Sequence, residues 1–199
     1  MNLPNKLTIA RIALVPVILL FLLPWPQLEV FSGWNRFLSD HGHLVALFFF
    51  VIAALTDLYD GKIARKRNLV TNFGKFLDPI ADKLLVIAVM IALVQLGRLN
   101  ALVPIIVILR EFIVTGVRLM ASEKGVVVAA SKLGKTKTVT QIIALILILL
   151  EKTLVSIWEP CLPTSWIFLF SDLVMLVAII LTLISGLDYL LKNISYFKD

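Results

Sequence analysis

Four aspartates flank a short charged segment of the chain. Asp57 and Asp60 precede this segment. Asp78 and Asp82 follow it, and the residues further out on both sides are almost wholly apolar. On an α-helix, residues three or four positions apart share one face, so the two carboxylates of each pair point the same way. If two antiparallel helices carry the pairs, all four carboxylates reach one small volume. The spacing therefore predicts a cluster of carboxylates at one end of two neighbouring helices.

The energetic cost of such a cluster indicates what it binds. An aspartate at bilayer depth costs roughly 2.5 to 3.5 kcal/mol. Two carboxylates about 5 to 6 Å apart repel each other by roughly 3 kcal/mol at an effective dielectric constant of about 20. Hard divalent cations relieve both penalties, because Mg²⁺ and Mn²⁺ prefer oxygen ligands. We therefore predict that these four aspartates hold two divalent cations, Mg²⁺ or Mn²⁺.

Residues beside the aspartates fit a ligand that contains phosphate. Gly61 directly follows Asp60, and Gly74 lies one helical turn before the second aspartate pair. A ligand can approach the backbone closely at a glycine, because no Cβ intervenes. Arg65 lies one turn beyond Gly61 and can make a bidentate contact with a phosphate. Together with bound cations, these residues predict a site for a diphosphate ester.

A second polar cluster interrupts a later apolar segment. Arg110, Glu111 and Arg118 lie within it, and Glu111 and Arg118 share a helix face. Ionisable groups at this depth usually mark a functional site, and an ion pair that holds helices in register is the alternative. With the lysines that follow, the cluster predicts a cationic pocket for a second, phosphorylated substrate. The candidate phosphate-binding residues are Arg110, Arg118, Lys132, Lys135 and Lys137.

Other polar residues have a structural alternative. Asn5, Thr8 and Arg11 are three positions apart, so they form a polar stripe on an otherwise apolar helix. A helix cap at Asn5 or Thr8 is the alternative to a role in binding. Asp78 followed by Pro79 likewise fits the start of a helix, with the aspartate as the N-terminal cap.

Composition defines the class of protein. Of the 199 residues, 60% are hydrophobic and 16% are charged, whereas soluble domains have about 25% charged residues. Six apolar segments approach the ~20 residues that a helix needs to cross a bilayer. The first contains the run VPVILLFLLP, and the others are 43–64, 77–97, 101–121, 138–157 and 166–190. We predict an all-α integral membrane protein with six transmembrane helices in one bundle, one domain over 1–199, and an interfacial loop with aromatic anchors at 24–42.

The distribution of charge predicts the orientation in the membrane. With six spans, Arg36, Arg98 and Lys152 fall on one side, and the other 16 of the 19 Lys and Arg residues fall on the opposite side. The positive-inside rule then places both termini and the aspartate cluster on the cytoplasmic side of the cell membrane.

Because the cations bracket the spans, we expect no nucleic-acid binding despite the net charge of +6. The single cysteine, Cys161, excludes an internal disulfide.

The residues around the aspartates resemble the signature of a known family. The pattern is Asp57-x-x-Asp60-Gly61-x-x-Ala64-Arg65, eight further residues, and then Gly74-x-x-x-Asp78-x-x-x-Asp82. It is similar to that of the CDP-alcohol phosphotransferases, integral membrane enzymes of phospholipid synthesis. The resemblance implies that the diphosphate ester is CDP-diacylglycerol, that Asp82 is the general base, and that the chain forms a homodimer. It also implies a set of residues that bind the CDP group: Asn5, Thr8, Asp60, Gly61, Arg65, Thr71 and Gly74.

A second resemblance concerns the acceptor. The sequence Arg110-Glu111-Phe112, followed by Gly134-Lys135-x-Lys137-Thr138, is similar to the branch of the family that uses glycerol 3-phosphate. This implies release of CMP and formation of phosphatidylglycerol phosphate. Another acceptor, such as inositol phosphate or serine, is the alternative within the family. A cation or proton transporter is the alternative from another class, but we find no inverted repeat, and the polar residues crowd the cytoplasmic half.

Overall fold

All regular secondary structure in the described residues is helical. The computed structural model describes residues 3–67, 72–126, 132–158 and 163–193. Six helices of 20 residues or more lie within these ranges: α1 (Leu3–Leu22), α3 (His43–Arg67), α4 (Asn72–Gln95), α5 (Leu102–Glu123), α6 (Lys132–Trp158) and α7 (Thr164–Lys192). A short helix, α2 (Ser32–Phe37), precedes α3. Each of the six predicted apolar segments corresponds to one long helix, so the all-α prediction is confirmed for these ranges.

Several of the helices are suited to a membrane. Four described segments are long and apolar enough to cross one: Asn5–Leu22, Glu29–Thr56, Leu133–Trp158 and Thr164–Lys192. They identify a multi-pass membrane protein. Helix α5 is of similar length, but it carries Arg110, Glu111 and Arg118. These three charged residues interrupt its apolar sequence. Two of them, Arg110 and Arg118, belong to the predicted cationic pocket.

The apolar core lies between α1, α3, α4, α6 and α7. Ile18, Phe50, Met90, Leu145 and Leu149 are almost completely buried within it. Helix α1 packs on α3 and α4, and α6 packs on α7. Helix α5 contacts α4 and α7 at the edge of this core. A smaller apolar cluster between α5 and α7 joins them.

A cluster of ion pairs links the connection between α4 and α5 to α6 and α7. Arg98 donates hydrogen bonds from Nε and Nη2 to the two carboxylate oxygens of Glu151, at 2.5 and 2.6 Å. It also lies 2.8 Å from a carboxylate oxygen of Asp172. Hydrogen bonding to Glu151 raises the pKa of Arg98 above its ordinary value. The guanidinium thus stays charged and ties this connection to α6 and α7.

The residues predicted to form an interfacial loop are largely helical instead. A 3-10 helix (Glu29–Phe31), α2 and a π-helix (Leu38–Gly42) follow one another into α3. The aromatic rings contact each other, with 5.5 Å between the ring centroids of Trp34 and Phe37. Phe21 at the end of α1 also lies 5.6 Å from Trp34. Pro24 and Pro26 lie before these turns and do not interrupt them, so the segment is helical from Glu29 onward although its composition predicted a loop.

Two helix starts that the sequence left open as alternatives do not occur. Helix α4 begins at Asn72, so Asp78 and Pro79 lie inside it rather than at its N-terminal cap. The fixed φ of proline is helical, so a helix can continue through it with the loss of one hydrogen bond. Asn5 and Thr8 lie inside α1 and are buried. Neither residue is an exposed cap, which leaves the role in binding open.

Candidate active site

A cavity of about 600 Å³ opens between α4, α5, α6 and α7. Its walls carry five cationic side chains and two carboxylates within the described part of the chain. The cations are Lys83, Arg110, Arg118, Lys135 and Lys137, and the carboxylates are Asp82 and Glu111. Val86, Val107 and Val114 supply apolar surface. The excess of cations indicates that the cavity binds an anion.

Four of the five predicted phosphate-binding residues line this cavity. Arg110 and Arg118 come from α5, and Lys135 and Lys137 come from α6. Asp82, the predicted general base, lies on the wall formed by α4. The side chain of the fifth residue, Lys132, lies outside the described part of the structure. The tertiary structure therefore brings Asp82 and this cationic group, which are far apart in sequence, around one volume.

Asp82 is paired with a buried arginine. Arg11 of α1 donates a hydrogen bond from Nη1 to Oδ1 of Asp82. The side chain of Arg11 is 1% exposed, whereas that of Asp82 is 42% exposed. Arg11 belongs to the same polar stripe as Asn5 and Thr8, both of which are buried. The stripe predicted from the sequence thus faces inward and reaches the aspartate that borders the cavity.

Glu111 is the centre of the cationic group. One of its oxygens accepts hydrogen bonds from Lys137 Nζ at 2.5 Å and Arg110 Nη1 at 2.9 Å. Its other oxygen lies 3.5 Å from Lys83 Nζ, and Lys83 also donates to Thr115 Oγ1 at 2.8 Å. A buried ammonium such as that of Lys137 needs a partner to offset its desolvation. The carboxylate therefore holds three cations close together and leaves the group with a net positive charge.

Glu111 and Arg118 do not form the ion pair that was the alternative to a role in binding. Arg118 donates instead from Nε to Tyr189 Oη on α7 at 3.2 Å. Its guanidinium carbon lies 5.7 Å from the centroid of the tyrosine ring. Residues seven positions apart share a helix face but are separated by about 10.5 Å along the axis, which is too far for direct contact. Arg118 is therefore bound by α7, and Glu111 is bound by α4 and α6 as well as by its neighbour Arg110.

Most of the predicted metal and nucleotide residues are not described at the level of side chains. Helix α3 includes residues 57–65, and α4 includes residues 74–82, so the helical spacing of both aspartate pairs is confirmed. Thr71 lies outside the described residues. So do the side chains of Asp57, Asp60, Arg65 and Asp78, and the surroundings of Gly61 and Gly74. Among the described side chains no group of three metal-ligating residues occurs, and three of the four predicted ligands are not among them.

Several residues that line the cavity were not predicted from the sequence. Lys83 directly follows Asp82, and Gln141 lies one turn after Lys137 on the same face of α6. That spacing was a signal that could have identified Gln141, which donates to Thr182 of α7 at 2.9 Å. Tyr189 carried no comparable signal, because an isolated tyrosine in an apolar helix is usually a packing residue.

Comparison with known proteins identifies the family of the chain. The family model for CDP-alcohol phosphatidyltransferase matches residues 1–187. A CDP-diacylglycerol--glycerol-3-phosphate 3-phosphatidyltransferase of Bacillus subtilis is 47% identical over 96% of this chain and 95% of its own length. A protein of the same name from Rickettsia bellii is 40% identical over 98% and 97% of the two chains. A probable phosphatidylglycerophosphate synthase of Mycobacterium tuberculosis is 37% identical over 96% and 81%. With the aspartate signature on α3 and α4 and these near-complete alignments, the chain belongs to the CDP-alcohol phosphatidyltransferase family.

Proposed function

We propose that this protein transfers the phosphatidyl group of CDP-diacylglycerol to glycerol 3-phosphate. The products are CMP and phosphatidylglycerol phosphate, an intermediate of phospholipid biosynthesis. The observation that carries the proposal is the cavity in which Arg110, Arg118, Lys135 and Lys137 lie around one volume beside Asp82. The names of the relatives from Bacillus subtilis and Rickettsia bellii support the same reaction.

The cationic group is the proposed site for the phosphate of the acceptor. A phosphate monoester carries between one and a half and two negative charges near pH 7. Charge-assisted hydrogen bonds from arginine and lysine are the usual means of binding it. Lys132 is proposed as a further member of the group. A phosphate monoester matches this excess of cations better than the single carboxylate of serine does, so the cavity favours a phosphorylated alcohol.

Asp82 is the proposed general base. In the reaction, an acceptor hydroxyl oxygen bonds to the phosphorus that carries diacylglycerol, and the bond from that phosphorus to the oxygen of CMP breaks. The proton of the hydroxyl moves to the carboxylate of Asp82. Its side chain borders the acceptor cavity and is held by Arg11. Phosphoryl transfer depends chiefly on positioning and charge stabilisation, and this arrangement supplies the position of the base.

The aspartate signature is the proposed site for two divalent cations, Mg²⁺ or Mn²⁺. The donor set is carboxylate oxygen alone, which suits hard cations, and the helical backbones of α3 and α4 keep its spacing. The residues that would hold the cations are Asp57, Asp60, Asp78 and Asp82. When bound, such cations neutralise charge on the diphosphate and help to orient it.

The CDP group is proposed to bind between α1, α3 and α4. Helix α1 packs on both of the other helices, and its stripe ends at the Arg11 that contacts Asp82. Asn5 and Thr8 lie on the same buried face. The proposed CDP-binding residues are Asn5, Thr8, Asp60, Gly61, Arg65, Thr71 and Gly74.

The proposed arrangement in the membrane is six spans with both termini and the active site on the cytoplasmic side. Helix α5 is as long as the apolar spans, and its charged residues line the cavity. The excess of Lys and Arg on one side supports this orientation. A homodimer in the cell membrane and a single domain over 1–199 complete the proposal.

An assay of purified protein tests the function. The protein in detergent, with CDP-diacylglycerol and Mg²⁺ or Mn²⁺, is given glycerol 3-phosphate, inositol phosphate or serine, and release of CMP is followed. We expect release with glycerol 3-phosphate and little with the others. Release with another acceptor in preference to glycerol 3-phosphate would overturn the assignment of the acceptor.

A further inference from the structure

Helix α7 contacts both arginines of the cavity. Gly186 lies against Arg110, because a Cβ built on Gly186 would lie 3.0 Å from Arg110 Cγ. One turn later, Tyr189 accepts a hydrogen bond from Arg118. Both residues of α7 are buried. We propose that Gly186 and Tyr189 are positioning residues that orient the two guanidinium groups for a phosphate monoester. This inference rests on the proposed function, since it assigns these arginines to the acceptor.

Tyr189 restrains an arginine that is otherwise exposed. The tyrosine is 3% exposed, and a buried hydroxyl needs a hydrogen-bond partner. Arg118 provides it through Nε, and its guanidinium also lies near the face of the ring. Among the described residues, no other nitrogen of Arg118 has a hydrogen bond, so its two terminal nitrogens are available for a bidentate contact with phosphate. A long side chain loses rotamer freedom when it binds a ligand. Tyr189 removes much of that freedom beforehand.

Because Gly186 has no Cβ, it leaves room for the aliphatic part of the Arg110 side chain. The side chain of Arg110 is 11% exposed, and its Nη1 donates to Glu111. Its buried Nε has no hydrogen-bond partner within the described residues. An alanine at position 186 would move the arginine stem by a few tenths of an ångström. Alanine is a better helix former than glycine, so the substitution should harm the position of Arg110 rather than the helix.

The substitutions Gly186→Ala and Tyr189→Phe test the proposal in the purified full-length enzyme. We expect each to raise KM for glycerol 3-phosphate about five- to tenfold, less than the loss of a hydrogen bond between charged groups would cause, because each change misplaces an arginine without removing it. KM for CDP-diacylglycerol should change less than about twofold, and Tm should stay close to that of the wild type, because each change leaves the core packing in place. Calorimetric titration with glycerol 3-phosphate should show the same weakening without turnover.

Two matched controls are available. Gly116 is also a helical glycine, but a Cβ there would meet nothing within 4 Å. Ser185 is buried one turn before Tyr189, and its hydroxyl donates to the carbonyl oxygen of Thr182. Gly116→Ala and Ser185→Ala should leave both KM values unchanged. If the controls raise KM for glycerol 3-phosphate as much as the test substitutions do, the effect is not specific and the proposal is overturned.

A double-mutant cycle separates positioning from general packing. Arg118→Lys removes the Nε donor, so Tyr189→Phe should have little further effect on KM in that background. An undiminished effect would overturn the proposal, as would a fall in Tm with both KM values raised or with neither changed. If the wild type prefers another phosphorylated acceptor, the proposed function is wrong, and KM for that acceptor tests the positioning role. A wild type that uses an unphosphorylated acceptor alone would overturn both.

Discussion

Arg11 on α1 and Asp82 on α4 form an ion pair across 71 positions of sequence. The arginine is buried, and the carboxylate is partly exposed at the edge of the cavity. The pair joins the polar stripe of the first helix to the aspartate signature. Asp82 therefore contacts the helix that carries Asn5 and Thr8 and also borders the cavity that contains the cationic group.

The first prediction concerns Asp82. Asp82→Asn keeps the shape of the side chain but removes the base, so kcat should fall by about a hundredfold or more. Binding of the cytidine nucleotide should be largely retained, since other residues are proposed to hold it. Steady-state kinetics and nucleotide titration measure the two effects. Loss of nucleotide binding with an unchanged chemical step would contradict the role of base.

The second prediction concerns Glu111, which holds three cations. Glu111→Gln removes its charge, and breaking a buried ion pair costs about 3 to 5 kcal/mol, so Tm should fall by at least about 5 °C. Inorganic phosphate should raise Tm more in this variant than in the wild type, because an anion can replace the missing charge. Thermal unfolding with and without phosphate measures both effects.

A control for Glu111 lies on the same helix. Glu123 is exposed at the end of α5, so Glu123→Gln should leave Tm nearly unchanged, as expected for a surface substitution. If Glu111→Gln has an equally small effect, or if phosphate stabilises both proteins equally, the carboxylate does not hold the cationic group.

The third prediction concerns the proposed metal site. Asp57→Asn or Asp78→Asn should abolish turnover and weaken binding of Mg²⁺ or Mn²⁺, since each removes a carboxylate ligand. The fold should be retained without metal, because the change reduces repulsion among the aspartates. Metal titration, CMP release and a melting curve on one preparation measure these effects. Nearly full, metal-dependent activity in either variant would contradict the assignment.

The fourth prediction concerns Arg118. Arg118→Ala should raise KM for glycerol 3-phosphate roughly ten- to hundredfold, since a hydrogen bond between charged groups contributes about 1.5 to 3 kcal/mol. KM for CDP-diacylglycerol should be nearly unchanged, because α1, α3 and α4 are proposed to bind the nucleotide. Kinetics at saturation in each substrate measure both constants. A larger effect on CDP-diacylglycerol would mean that the two pockets are assigned the wrong way round.

The sequence by itself determined the class of the protein and the family signature. Long apolar segments predicted the helices, because a chain that crosses a bilayer must satisfy its backbone hydrogen bonds internally. The i, i+3 and i, i+4 spacing of the aspartates follows from helix geometry alone, and α3 and α4 retain it. Local sequence patterns predicted the ends of the helices less reliably than their existence. The start of α4 and the turns between α1 and α3 depend on packing against neighbouring helices, which a local pattern does not record.

Only the tertiary structure decided which charged groups are partners. Lys137 reaches Glu111 from 26 positions away, and Tyr189 reaches Arg118 from 71. Helix periodicity predicted that Glu111 and Arg118 share a face, but it could not identify the side chains that oppose them on α6 and α7. Those contacts depend on how the helices pack around the apolar core, and the energy of that packing is summed over many side chains far apart in sequence.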